Sequence, residues 1–375
     1  SMYIFVRVTV DPNNSNTPLV IEDSILFETN GNLQQVQLIA WGQDAYYHTP
    51  NLPVGNPWYS IIACDAVWTS DKPHVIYGYA VVDSACTLTI KENTKVCLHK
   101  NAVLWVYKDG TLIVDGTLGN DVKFEGDRLE YDYREIPGQW GKIWLSAGSK
   151  NNVIDHAIIK NGGIGLHIDT TCTSPTQPTL TIRNSIIKNM SAAALYAQGS
   201  WVKAENCVFA NCGQYAVVLN IGGNYDFTHC TIGNYWDYGT RQTPSLVLNN
   251  WYKDIYEVVH PRDLVKADFN NCIIYGNVTE EILLDKNNSA LFNYKFDHCL
   301  LKTELSIADV NYFPGCIKNS DPAFNDVSLN DYSLGASSAA IDKGLMSIAQ
   351  NVPFDILRHN RTSNVAPDLG AYEKQ

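Results

Sequence analysis

Between Asn151 and Leu301 the polar and apolar positions of this chain repeat as a phrase. It reads Asp155-His156-Ala157-Ile158-Ile159-Lys160-Asn161, then Arg183-Asn184-Ser185-Ile186-Ile187-Lys188-Asn189, then Glu205-Asn206-Cys207-Val208-Phe209-Ala210-Asn211. Thr228-His229-Cys230-Thr231-Ile232-Gly233-Asn234, Asn270 to Asn277, and Asp297-His298-Cys299-Leu300-Leu301 continue it. Downstream of these phrases run alternating segments: Leu166-His167-Ile168-Asp169, Leu195-Tyr196-Ala197-Gln198, Val217-Val218-Leu219-Asn220, Leu246-Val247-Leu248-Asn249 and Ile282-Leu283-Leu284-Asp285. A period of two marks strands with one face buried. A repeat of about 22 residues holding three short strands has no room for helices of ordinary length and is the signature of a solenoid. The pattern predicts an all-β parallel β-helix, in which each coil pairs its backbone with the next and the coils share one core.

That geometry predicts ladders, because equivalent residues stack at the strand spacing of about 4.8 Å. Asn161, Asn189, Asn211, Asn234 and Asn277 are expected to form a stacked amide ladder at a turn. Ala157, Ser185, Cys207, Cys230, Cys272 and Cys299 are expected to stack inwards, the cysteines serving as small apolar residues. Asp169, Gln198, Asn220, Asn249 and Asp285 should project outwards in register. The six remaining cysteines, 64, 86, 97, 172, 212 and 316, are left undetermined.

Taken in order, residues 1–45 read as three strands, Tyr3 to Val8, Ile21 to Thr29 and Gln35 to Ala40. The turn Asp11-Pro12-Asn13-Asn14 separates the first two and the hairpin signal Asn30-Gly31-Asn32 the last two. Residues 46–72, rich in Pro, Asn and aromatics, read as a linker that also caps the solenoid's open end. Coils are expected over 73–320, and the irregular stretch 321–375 as a C-terminal cap blocking the last open edge. Two insertions break the rhythm: Gly126 to Gly141, and Tyr235 to Asp263. Long loops on a rigid scaffold are where function tends to sit.

The coils, together with Gly126-Asp127-Arg128-Leu129-Glu130, Pro137-Gly138-Gln139-Trp140, Asp321-Pro322-Ala323-Phe324, Asp331-Tyr332-Ser333-Leu334, Ser338 to Gly344 and Pro367 to Glu373, give the chain a family likeness. It resembles the right-handed parallel β-helix proteins of the pectin-lyase-like superfamily, and more narrowly the β-helix surface lipoproteins of Bacteroidetes, a largely uncharacterised family. The resemblance implies a right-handed helix and makes residues 1–45 the last strands of an immunoglobulin-like domain that begins upstream. It further implies secretion and a lipid anchor absent from this chain, hence a place on the extracellular face of the outer membrane or in the medium.

Composition narrows the functional classes. With 39 acidic against 27 basic residues in 375, the net charge of -12 disfavours a nucleic-acid partner. No run of apolar residues is long enough to span a membrane. Clustered Cys/His spacing for a metal is absent from the sequence, and no cofactor is expected. The Asn-Thr-Asp, Asp-Asp and Gly-His-Gly motifs of polygalacturonase-type hydrolases do not occur, nor does the Arg-x-Pro-x-x-Arg run of pectate lyases. Lys160 and Lys188 sit at matching coil positions, as a lyase's basic pair would, but read more simply as a solvated turn. Binding is therefore the leading expectation: Arg128, Glu130, Tyr133 and Arg134 in the first insertion, and Trp236, Tyr238, Arg241, Trp251 and Tyr252 in the second, are the types that stack on sugar rings and hold hydroxyl or acidic groups. The partner would be a polysaccharide or an outer-membrane protein. A polysaccharide lyase or glycoside hydrolase is the alternative, its catalytic residues not assignable, and a structural spacer is a third possibility.

Overall fold

The computed structural model describes residues 3–9, 18–51, 58–170 and 176–375. Its body is a parallel β-helix of three sheets. Sheet I has eleven strands, from Tyr46–His48 to Ile317–Lys318; sheet II has nine, from Tyr59–Ile61 to Ile282–Asp285; sheet III has nine, from Val67–Trp68 to Lys295–Asp297. The chain visits them in the order I, II, III, and neighbouring strands within each sheet are parallel. Parallel strands joined by crossovers into one sheet wind right-handed.

The alternation read from the sequence places one continuous core inside. Leu104, Ile143, Leu166, Leu195, Val217 and Leu246 point inwards from sheet II without solvent exposure. Phe227, Phe269 and Phe296 are register partners on sheet III, and their rings stack at 5.0 and 4.9 Å between centroids. Phe313 lies on Phe296 at 5.5 Å, and with Leu305 and Ile307 it closes the C-terminal end of the core.

The inward column of small residues is as expected. Ala157, Ser185, Cys207, Cys230, Cys272 and Cys299 are all buried, and the backbone N–H groups of Cys230, Cys272 and Cys299 each face the next thiol, ending at Cys316. The residue before each of them, His156, Asn184, Asn206, His229, Asn271 or His298, has φ between 49° and 51° and turns the chain from sheet III into sheet I. Asn and His tolerate this left-handed conformation better than most residues. The amide ladder is shorter than predicted. Asn189 donates to Asn161 and Asn211 to Asn189; Asn234 instead accepts from the Cys212 backbone, and Asn277 accepts from Arg241. The second insertion, leaving just after Asn234, moves Asn277 out of the column.

Three expectations for the termini are corrected. Residues 19–42 form a two-stranded antiparallel hairpin, β1 (Leu19–Thr29) and β2 (Asn32–Gly42), turning at Asn30 and Gly31 with φ of 51° and 75°. Tyr3 to Val8 pairs with no other strand among the described residues, and the turn at 11–14 falls outside them. Residues 46–72 are not a linker: Tyr46–His48, Tyr59–Ile61 and Val67–Trp68 pair with the next coil and are themselves the first coil. Residues 321–375 do not plug the solenoid's end. They fold back along the outside of sheet I, where Tyr332 packs on Val208 and Ala210, and Leu334 and Leu369 pack on Ile273 and Leu300. A Cβ on Gly233 would come within 2.5 Å of the Tyr332 ring, so only glycine fits beneath it.

Cys64 and Cys86 form a disulfide, with Cα atoms 4.9 Å apart and a separation of 22 residues. They occupy the same corner of successive coils, so the bridge ties the first coil to the second. Opening it should cost about 2–4 kcal/mol of stability, measurable as a shift in urea midpoint on reduction. Thiol titration should find Cys207, Cys230, Cys272 and Cys299 unreactive in the native state and free after denaturation without reductant; a disulfide among those four would contradict the stack.

The first two coils hold His48, Trp68 and His74 in a stack, with 4.6 Å between His48 and Trp68 and 4.2 Å between Trp68 and His74. Burial lowers both histidines to about 4, against about 6.5 when unfolded. The unfolded chain therefore binds more protons between these values. Their contribution is complete above about pH 6.5 and is lost as pH falls towards 4. Urea midpoints should drop over that window, and less so in His74→Gln.

Candidate functional site

From Asp155 onwards the chain passes from sheet III to sheet I through one left-handed residue, and the long insertions leave at the other two corners. The first insertion leaves between sheets I and II, from Gly126 to Trp140. The expected second insertion is two separate excursions. Residues 235–245 leave at the same corner as the first, four coils further on, whereas Trp251–Lys253 and Val259–Pro261 form a hairpin at the corner between sheets II and III. Four coils at about 4.8 Å are about 19 Å, yet the two excursions at the shared corner touch: Tyr238 Oη donates to the Glu135 carbonyl at 2.6 Å.

The nine residues expected to bind therefore do not form one site. Arg128 grips Glu130 through Nε and Nη2 and lies 3.8 Å from the centroid of the Tyr133 ring, a cluster closed within its own loop. Arg134 lies over Tyr131, and its carbonyl accepts from Lys160 and Asn161. Trp236 leans on Tyr238 at 5.1 Å. Trp251 donates to Asp285 at 3.1 Å, and Tyr252 stacks on His260 with Arg262 beside it. Arg241 is corrected outright. It is buried, paired with the equally buried Glu281 at 2.7 Å, and bonded to the Asn234 carbonyl and to Asn277. It anchors the excursion to the helix and is out of a ligand's reach.

What lies between the two insertion corners is the outer face of sheet II, and here the alternation exposes a column the sequence reading did not single out. Val81, Trp105, Trp144, His167 and Tyr196 are successive register partners. The Trp105 and Trp144 rings stack at 4.8 Å and 10°. Trp144 covers one face of Trp105, and the other looks over Val81 into a cleft of about 280 Å³ lined by Tyr59, Ile61, Asp83 and Tyr107. The signal was present in the sequence, as the middle residue of apolar triplets such as Leu104-Trp105-Val106 and Leu166-His167-Ile168 must point away from the core.

Beyond Trp144 the column becomes polar and connected. Lys142 Nζ is 2.6 Å from His167 Nδ1, and His167 Nε2 is 3.2 Å from Asp169 Oδ1. Asp169 also accepts from the Trp144 indole at 2.8 Å. Lys142 can donate to Nδ1 while an Nε2–H donates to Asp169, which links the three side chains in one chain of hydrogen bonds. Burial holds Lys142 below the ordinary lysine value, opposed by Asp169, and the hydrogen bonds from His167 and Trp144 outweigh burial to keep Asp169 low. Gln198, Asn220, Asn249 and Asp285 extend the face along the axis, with Gln198 opposite Asn220 and Asn249 opposite Asp285. Asn249 donates to Asp285 at 2.7 Å. The residue types offer flat apolar surface at one end and a row of hydroxyl-binding groups at the other. Among the described residues no cluster of His, Cys, Asp and Glu is arranged to hold a metal ion.

Removing Arg241 leaves Glu281 charged and buried. Arg241→Ala should cost about 3–5 kcal/mol in urea unfolding, while leaving the sheet II face and whatever binds there intact.

No curated protein and no solved structure matches the chain. Residues 75–232 match the family model described as right handed beta helix region, and this part of the chain is a right-handed β-helix.

Proposed function

We propose that the protein binds a hydroxyl-rich polysaccharide laid along the outer face of sheet II. The observation that carries this reading is the half-buried Trp105 at the end of a stacked aromatic column, where it lines a cleft with Asp83 and Tyr107. An indole face suits the C–H face of a sugar ring, and the carboxylate beside it accepts from ring hydroxyls. Asp169, Gln198, Asn220 and Asp285 continue the same face, with the buried Asn249 holding Asp285 in place, so a chain several sugars long meets polar groups along it.

The Cys64–Cys86 disulfide supports an oxidising compartment, which suits display at the cell surface or secretion. The β1–β2 hairpin leaves Leu26, Leu33, Val36 and Ile39 exposed; we read it as the edge of a larger sheet or as the surface that meets an outer-membrane partner.

A lyase is the second reading, favoured by the Lys142–His167–Asp169 relay. A lysine whose protonated form is disfavoured by burial can serve as a base. Taking the proton next to a uronate carboxylate would form a carbon–carbon double bond and expel the glycosidic oxygen. A two-carboxylate hydrolase fits worse. Asp169 and Asp285 stand four coils apart, about 19 Å, whereas such pairs need about 5–9.5 Å.

Affinity electrophoresis against neutral and acidic polysaccharides tests the binding reading. Trp105→Ala should weaken retardation by about 0.5–1.5 kcal/mol beyond lost burial. Retardation by no polymer, or the same retardation in the variant, would overturn it. Unsaturated, ultraviolet-absorbing products that vanish in Lys142→Met would put the lyase in its place.

A further inference from the structure

On the outer face of sheet I the sequence places like charges directly opposite each other. Lys95 is the register partner of Lys123, and Lys160 the partner of Lys188. Like charges across a strand pair destabilise a sheet, and here two such pairs lie on adjoining coils of a chain whose net charge is -12. Lys160 and Lys188 are not the solvated turn that the sequence suggested. They lie in strands, with side chains only 17% and 18% exposed. The four lysines surround a groove of about 390 Å³ floored by Ile158 and Ile186, which ends where the folded-back C-terminal segment reaches Asn330.

Two carboxylates neutralise part of this charge, and they differ in kind. Glu125 belongs to sheet I itself, as the neighbour of Lys95 at 2.7 Å and of Lys160 at 3.7 Å. Glu135 comes from the first insertion, and its side chain remains 48% exposed. Its two oxygens take Lys160 at 2.8 Å, Lys188 at 3.5 Å and Asn189 Nδ2 at 2.9 Å. Three donors thus converge on one carboxylate that enters from solvent on a loop. Its carbonyl accepts from Tyr238 at 2.6 Å and from Asn189 Nδ2 at 3.2 Å, so the backbone keeps its own anchors when the side chain leaves.

We propose that this groove is an oxyanion-binding site distinct from the sheet II face, and that Glu135 is its resident occupant, displaced by a carboxylate or sulfate group of a ligand. Exchange of one oxyanion for another keeps Lys160 and Lys188 neutralised throughout, which is why the like-charge pair persists in the fold. The site does not depend on polysaccharide binding by sheet II.

The test measures binding of heparin, which carries sulfate, and of polygalacturonate, which carries carboxylate, by isothermal titration at low salt. Glu135→Gln removes the competitor and should tighten binding of at least one probe about five- to tenfold, the order of one charge-assisted contact. Glu28→Gln on the hairpin changes net charge equally and should leave affinity unchanged. Lys160→Gln with Lys188→Gln should abolish the gain while unfolding in no less urea than the parent. The probe that responds distinguishes sulfate from carboxylate recognition. Equal tightening by Glu28→Gln, no tightening by Glu135→Gln, or undiminished binding in the double lysine variant would overturn the proposal. The tightening produced by Glu135→Gln should be the same in a Trp105→Ala background, whatever that substitution does to binding along sheet II.

Discussion

From His156 to His298 a single left-handed residue joins sheets III and I in every coil, and the register of that part of the helix depends on it. A coil that turns on one residue has no slack, so the spacing of inward side chains on either side of it is fixed from coil to coil. This keeps the small-residue column from Ala157 to Cys299 in register and lets the phenylalanines of sheet III stack. An insertion there would break the backbone pairing of both flanking strands. In these coils the long excursions leave at the other two corners, and both of those border sheet II.

The outer faces of sheets I and II carry different side chains through the same alternation. From Val208 onwards sheet I presents small or apolar side chains outwards, and the C-terminal segment covers them. Its buried polar anchors, Arg361 on Asn206 and the Thr231 hydroxyl on Ala371, tie it to the coils. Before that point, sheet I presents lysines. Sheet II presents aromatics, then a lysine–histidine–aspartate relay, then amides and carboxylates. The first insertion stands between the two faces and contributes to one of them through Glu135. An aromatic and polar face and a cationic groove thus flank one loop.

The insertions illustrate how loop chemistry and loop role diverge. Arg128, Glu130 and Tyr133 have the composition of a sugar site but satisfy one another, and Arg241 is consumed by a buried ion pair. An arginine in a long loop has to be solvated, paired or bound, and sequence does not say which. The residues of the regular coils are more telling, because the scaffold dictates their direction. Trp105, Trp144, His167 and Tyr196 can only face outwards.

The sequence by itself determined the all-β solenoid, the inward thiol column and the outward polar row, because each follows from a period of two within a repeat of about 22 residues. It also contained the disulfide, as two cysteines one coil apart, and the outward aromatic column, though neither stands out until the coils are aligned. Tertiary structure alone decided which corner each insertion leaves from, and that the segment after 320 lies along sheet I instead of across the end. It alone decided that Lys160 and Lys188 share a groove with a loop carboxylate. Those outcomes depend on contacts between residues far apart in the chain, Tyr238 with Glu135 or Tyr332 with Gly233. A local period carries no information about them.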